Sequence, residues 1–185
     1  MIRNILLTIL IAVIMLGISN CPTFGATLDE AHQVINESKA LCTLYQKYCS
    51  VRIVNLEESM AQTRYQGDIT ITTGLIKAMN VAQLRAVLFH EVGHVVLNHI
   101  EIKADYMYRC NMNNNCNPTY KSELSREQEY QADRFSTYAT KFSRKQGDLI
   151  GALLIITPPQ DINKVHETHP STADRIQAIR RILNE

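Results

Sequence analysis

Residues 80–99, NVAQLRAVLFHEVGHVVLNH, constrain the fold of this chain more than any other segment. Asn80 followed three positions later by Gln83 marks a helix start. Leu84, Val87, Leu88, Phe89, Val92, Val95, Val96 and Leu97 then cover nearly every direction around the axis. A helix that is apolar all round is buried, and this one is predicted to run from Val81 to about Asn98 or Ile100. Two histidines and a glutamate inside it need partners, because unpaired polar groups are costly to bury.

On a helix that advances about 100° per residue, His90 and His94 project within about 40° of each other, so both imidazoles reach one ion. Glu91 lies beside them, close enough to hold a water on that ion without becoming a ligand. A pair of core histidines bonded to backbone carbonyls, with Glu91 at the surface, is the competing reading. A shared metal satisfies spacing and burial together. Catalytic zinc takes three protein ligands and keeps one position for water, so a third ligand is required. His99, nine positions after His90, falls about 180° away on a continuous helix. His32 lies on the polar side of an earlier helix. In SREQEYQADRF, Glu129 and Asp133 are four apart and share a helix face. One of these carboxylates can bind the metal while the other holds a ligand histidine through its free ring N–H. Ordinary helix surface charge competes for this pair, and it is the reading for Glu123 and Glu127.

The 185 residues carry a formal net charge of +1 with no basic stripe, which suits one domain and excludes nucleic acid as a partner. After Arg3 comes the uncharged run ILLTILIAVIMLGI, then Pro22 and the small residues of TFGA. This reads as a signal peptide over residues 1–26, leaving one domain over 27–185 in an exported, periplasmic or secreted protein. The run is shorter than the roughly 20 residues that span a bilayer. An uncleaved anchor is the rival, and membrane contact is expected only in that case. Lipid attachment at Cys21 is disfavoured by the bulk of Asn20. Four cysteines remain, Cys42, Cys49, Cys110 and Cys116, an even number suited to disulfides in an oxidising compartment. Short spacings favour Cys42 with Cys49 and Cys110 with Cys116. None sits in a C-x-x-C pair of the kind that binds zinc.

Elsewhere, Thr27 and Glu30 form a capping box for an amphipathic helix. VRIVNL (51–56) and DITITT (68–73) read as strands, and DYMYRCNMNNNCNPTYKS (105–122) as an irregular loop. Ser125 and Gln128 open a helix to about Gln146, stopped by Gly147. DLIGALLIIT reads as a buried helix halted by Pro158 and Pro159, and Ser171 with Asp174 opens a last helix bearing Ile176, Ile179 and Leu183. The class is α+β: a mostly helical domain with a small sheet beside the HEVGH helix.

HEVGHVVLNH, SREQEYQADRFS and THPSTADRI, in that order and preceded by VRIVNL and the strand leading into TTGLI, resemble the HtpX-like and CAAX-prenyl-protease-like zinc metallopeptidases. These are gluzincins with an H-E-x-x-H helix and a later E-x-x-x-D helix. The resemblance implies that His90, His94 and Glu129 bind one Zn2+ per chain, that Glu91 is the general base, and that Asp133 stands behind the ligands. It implies that His169 stabilises the oxyanion and that Arg175 supports the site by charge and hydrogen bonding. His166 has no matching position. It further implies a metalloendopeptidase acting on protein or peptide substrates, unfolded or extended, whose backbone pairs with DITITT. The alternative from another class is a zinc-stabilised binding or chaperone-like module without catalysis. Glu91 favours the enzyme, since a structural site has no use for a base.

Overall fold

The computed structural model describes residues 25–113, 116–145 and 147–185. Most of the expected leader, with Cys21, lies outside the described residues, as does Gln146. Ala26 is already tied to the domain, its N–H donating to the carbonyls of Ile76 and Met79 at 3.0 and 2.7 Å.

Helix α1 (Leu28–Leu44) starts with the Thr27–Glu30 capping box and buries Ala31, Val34, Ile35, Ser38 and Cys42, one stripe at helical spacing. Its end is clipped to strand β1 (Ser50–Val54) by the Cys42–Cys49 disulfide. Strands β2 (Ala61–Thr63) and β3 (Asp68–Thr72) complete a sheet of order β1-β3-β2. β1 runs parallel to β3, pairing Val51 with Ile69 and Ile53 with Ile71, whereas β2 is antiparallel, pairing Ala61 with Ile71 and Thr63 with Ile69. β2 was not expected, because AQT is too short and polar to show a strand period. Gly67, at φ 77, makes the turn into β3; a Cβ there would stand 2.3 Å from the Tyr48 carbonyl oxygen.

A short helix α2 (Thr73–Ala78) leads into α3 (Val81–Val96), which carries HEVGH. Asn80 and Gln83 cap α3 reciprocally, and Leu84, Ala86, Val87, Leu88, Phe89, Val92 and Val95 are all buried. α3 packs against α1, β2 and the long helix α5 (Pro118–Phe142). Gly93 permits the closest approach of α3 to α5: a Cβ at that position would lie 3.2 Å from the Ala132 Cα and the Phe135 Cβ. The glycine inside HEVGH therefore sets how near α5 brings its carboxylates to the two histidines.

The stretch expected to be irregular is largely helical. Asn98 takes a left-handed conformation (φ 57, ψ 34), ends α3, and starts α4 (His99–Met112) in a new direction. α5 then begins at Pro118, capped by Asn117, whose backbone N–H and C=O both bond to the Tyr106 hydroxyl. The Cys110–Cys116 disulfide ties the last turns of α4 to the residue before the Asn117 cap of α5. Ser125, read as a cap, lies buried inside α5 instead. Helix α6 (Leu149–Ile156) is less buried than its sequence suggests, with Leu154, Ile155 and Ile156 between 43 and 49% exposed. Its Leu149 and Leu153 join Ala86 and residues Ile176 and Ile179 of α7 (Thr172–Leu183) in a second apolar cluster. Among the described residues no helix is long and apolar enough to cross a membrane.

Candidate metal centre

Consecutive turns of α3 aim His90 and His94 at the same point, their Nε2 atoms 3.1 Å apart. The Glu129 carboxylate on α5 lies 3.5 Å from each of these nitrogens. Ligand atoms on a tetrahedral ion with bonds of roughly 2.0–2.1 Å stand about 3.3 Å from one another. The three side chains therefore fit zinc in both type and separation, and they form a group able to hold a metal. Charge agrees: the carboxylates of Glu91, Glu129 and Asp133 are all at least nine-tenths buried beside the Arg175 guanidinium, and a divalent cation would balance the acidic excess that a protonated His90 otherwise offsets.

Asp133 and Arg175 form the support behind the ligands. The guanidinium grips Asp133 at both oxygens, Nε to Oδ2 at 2.8 Å and Nη2 to Oδ1 at 2.7 Å, and its Nη1 lies 3.3 Å from Glu129. His90 Nδ1 is 2.9 Å from Asp133 Oδ1, yet no hydrogen bond is aligned along its N–H direction, so the contact is chiefly one of charge. Burial works against a charge on His90, but Asp133 and Glu129 outweigh it and lift its pKa to about 10. Burial and the neighbouring His90 charge push His94 down to about 3. Burial opposes ionisation of Glu129 and Asp133 as well. His90, Arg175 and His94 nonetheless hold Glu129 well below the usual carboxylate range, and Arg175 with His90 does the same for Asp133.

Glu91 is buried beside the ligands, and strand β2 holds it: the Thr63 hydroxyl donates to Glu91 Oε2 at 2.6 Å and lies 3.0 Å from the Glu91 carbonyl. Burial raises the Glu91 pKa, against the opposing pull of His90 and Thr63. His169 stands at the mouth of the site with its side chain half exposed, Nε2 3.6 Å from Glu129 and Nδ1 2.8 Å from the Thr168 hydroxyl. Burial, partly countered by Glu129 and reinforced by Arg175, lowers its pKa. A cleft of about 450 Å³ joins these groups, with Met60, Ala61 and Thr63 of the β2 segment on one side and Leu149, Leu153 and Ile156 of α6 on another.

His90, Glu91, His94, Glu129, His169 and Arg175 thus line one cleft with Asp133 buried behind them, whereas His32 and His166 are exposed. Two features differ from expectation. DITITT forms the central strand β3, paired on both sides, so it offers no free edge to a substrate; β2 is the edge strand that lines the cleft. His99 is not remote from the metal ligands: it is 1% exposed, with Nδ1 2.9 Å from His94 Nδ1. The wheel argument assumed a continuous helix, and the break at Asn98 turns His99 back. Thr63 had no signal in the sequence beyond its place in a polar segment.

A model described as Peptidase family M48 matches residues 47–116 and 113–183. No curated protein matches the chain. Asp133→Asn removes the charge behind His90 and leaves Arg175 half-paired. Zinc affinity of the purified full chain, measured by chelator competition, is expected to fall about 10- to 100-fold.

Proposed function

The chain belongs to peptidase family M48, and we propose that it is a zinc metalloendopeptidase of the cell envelope that cuts unfolded or extended segments of exported proteins. The observation that carries this reading is the convergence of His90, His94 and Glu129 in one cleft with Glu91, a buried carboxylate held by Thr63 and not needed as a ligand. Zinc held by the three ligands supplies Lewis-acid polarisation of the scissile carbonyl and makes water more acidic.

Glu91 takes a proton from the attacking water and delivers it to the leaving amine. The Thr63 hydroxyl fixes one Glu91 oxygen, which leaves the other to reach water. His169, lowered in pKa and half exposed, presents an imidazole N–H to the developing oxyanion at the cleft mouth. Arg175 locks the carboxylates of Glu129 and Asp133 and keeps Glu129 from turning away from the histidines. An extended substrate adds to the free side of β2, the strand whose Thr63 also holds the base. The apolar wall of Leu149, Leu153 and Ile156 receives a bulky apolar side chain. Export rests on the apolar run and small residues of positions 1–26, with the catalytic domain following as residues 27–185. The two local disulfides suit an oxidising compartment.

Zinc-loaded Glu91→Gln is expected to keep its metal while casein cleavage falls by about 10²- to 10⁴-fold. Equal cleavage by the two proteins would sink the role of Glu91. In Thr63→Val, loss of a hydrogen bond to a charged group lowers kcat by about tenfold or more with little change in KM; an unaltered kcat would remove Thr63 from the mechanism.

A further inference from the structure

We propose that His99, together with Gln131 and Glu127, is a positioning device that fixes His94 in the tautomer a metal ligand needs. The inference rests on the metal centre and not on which bond the protein cuts. Its polarity is set from the surface inward. Glu127 is exposed and, ionised, can only accept hydrogen bonds, so Gln131 turns its amide N–H towards it (Nε2 to Oε1, 3.1 Å). The Gln131 carbonyl oxygen is then left facing His99 Nε2 at 3.0 Å, which requires the proton of a neutral His99 to sit on Nε2. His99 Nδ1 is therefore a bare acceptor. Its 2.9 Å contact with His94 Nδ1 is a hydrogen bond only if His94 carries its proton on Nδ1. What remains on His94 is an unprotonated Nε2, the atom that faces His90 and Glu129.

His99 is held firmly enough to impose this order. It is 1% exposed, its carbonyl accepts from Gln128 Nε2 at 3.0 Å, and its ring meets the His94 ring edge-on with centroids 5.0 Å apart. The left-handed Asn98, whose side-chain oxygen accepts from Lys47 Nζ at 2.7 Å, is the break that aims it. The two ligand histidines are thus supported differently: His90 rests against the Asp133 carboxylate, His94 against a neutral imidazole. The neutral support orients its ligand without adding negative charge to the centre.

Two measurements on the full chain test this: the zinc dissociation constant by chelator competition, and the His94 tautomer in zinc-free protein from ring 15N shifts. Zinc-free native protein should show His94 protonated on Nδ1. His99→Phe should weaken zinc binding about 10- to 100-fold and allow the Nε2–H form to appear. His99→Gln, whose side-chain oxygen can accept the same proton, should restore most of both. Gln131→Leu, at an exposed position, should shift both readouts in the same direction by less, and it decides the matter if His99→Phe does not fold. Zinc affinity within about twofold of native in these variants with an unchanged His94 tautomer, or Nε2–H on His94 in the native protein, overturns the proposal. No casein cleavage by the zinc-loaded native protein, with zinc affinity and tautomer shifting in the variants as stated, would instead count against the peptidase reading alone.

Discussion

The grip of Arg175 on Asp133 is the contact on which the site depends. Asp133 and Glu129, one helical turn apart on α5, place two carboxylates on the buried face of that helix, where mutual repulsion and lost hydration both oppose ionisation. A guanidinium bonded to both Asp133 oxygens and 3.3 Å from Glu129 reverses that balance. Removing one partner of such a buried pair costs about 3–5 kcal/mol, because the other charge is left uncompensated. Arg175 comes from α7, which packs against α5, so Glu129 is held from a second helix.

Two backbone features bring the remaining groups into register. Gly93 lets α5 approach the face of α3 that carries both histidines, and the left-handed Asn98 folds His99 back beneath His94. The edge strand β2 holds Glu91 through the Thr63 hydroxyl, and its residues line the cleft.

The helix that carries HEVGH was legible because burial, periodicity and capping agree: an all-apolar wheel, an Asn80–Gln83 cap and two histidines four apart permit few structures. That Glu129 and Asp133 share a helix face was legible from their spacing, whereas their separate roles at a metal were only implied by resemblance. His99 was misplaced for a physical reason. A wheel extrapolates φ and ψ from one residue to the next, and a single left-handed residue invalidates it. β2 and Thr63 lay below detection because a three-residue strand has no measurable period, and its pairing comes from β3 rather than from its own side chains. The stretch from Asp105 to Ser122 misled through composition: Asn111 lies within α4, and Asn117, bonded to the Tyr106 hydroxyl, caps α5.

Zinc K-edge X-ray absorption on the metal-loaded full chain tests the centre most directly. One zinc per chain is expected, with nitrogen and oxygen neighbours near 2.0–2.1 Å and outer-shell scattering from two imidazoles. Sulfur neighbours near 2.3 Å, or the absence of imidazole scattering, would contradict binding by His90, His94 and Glu129.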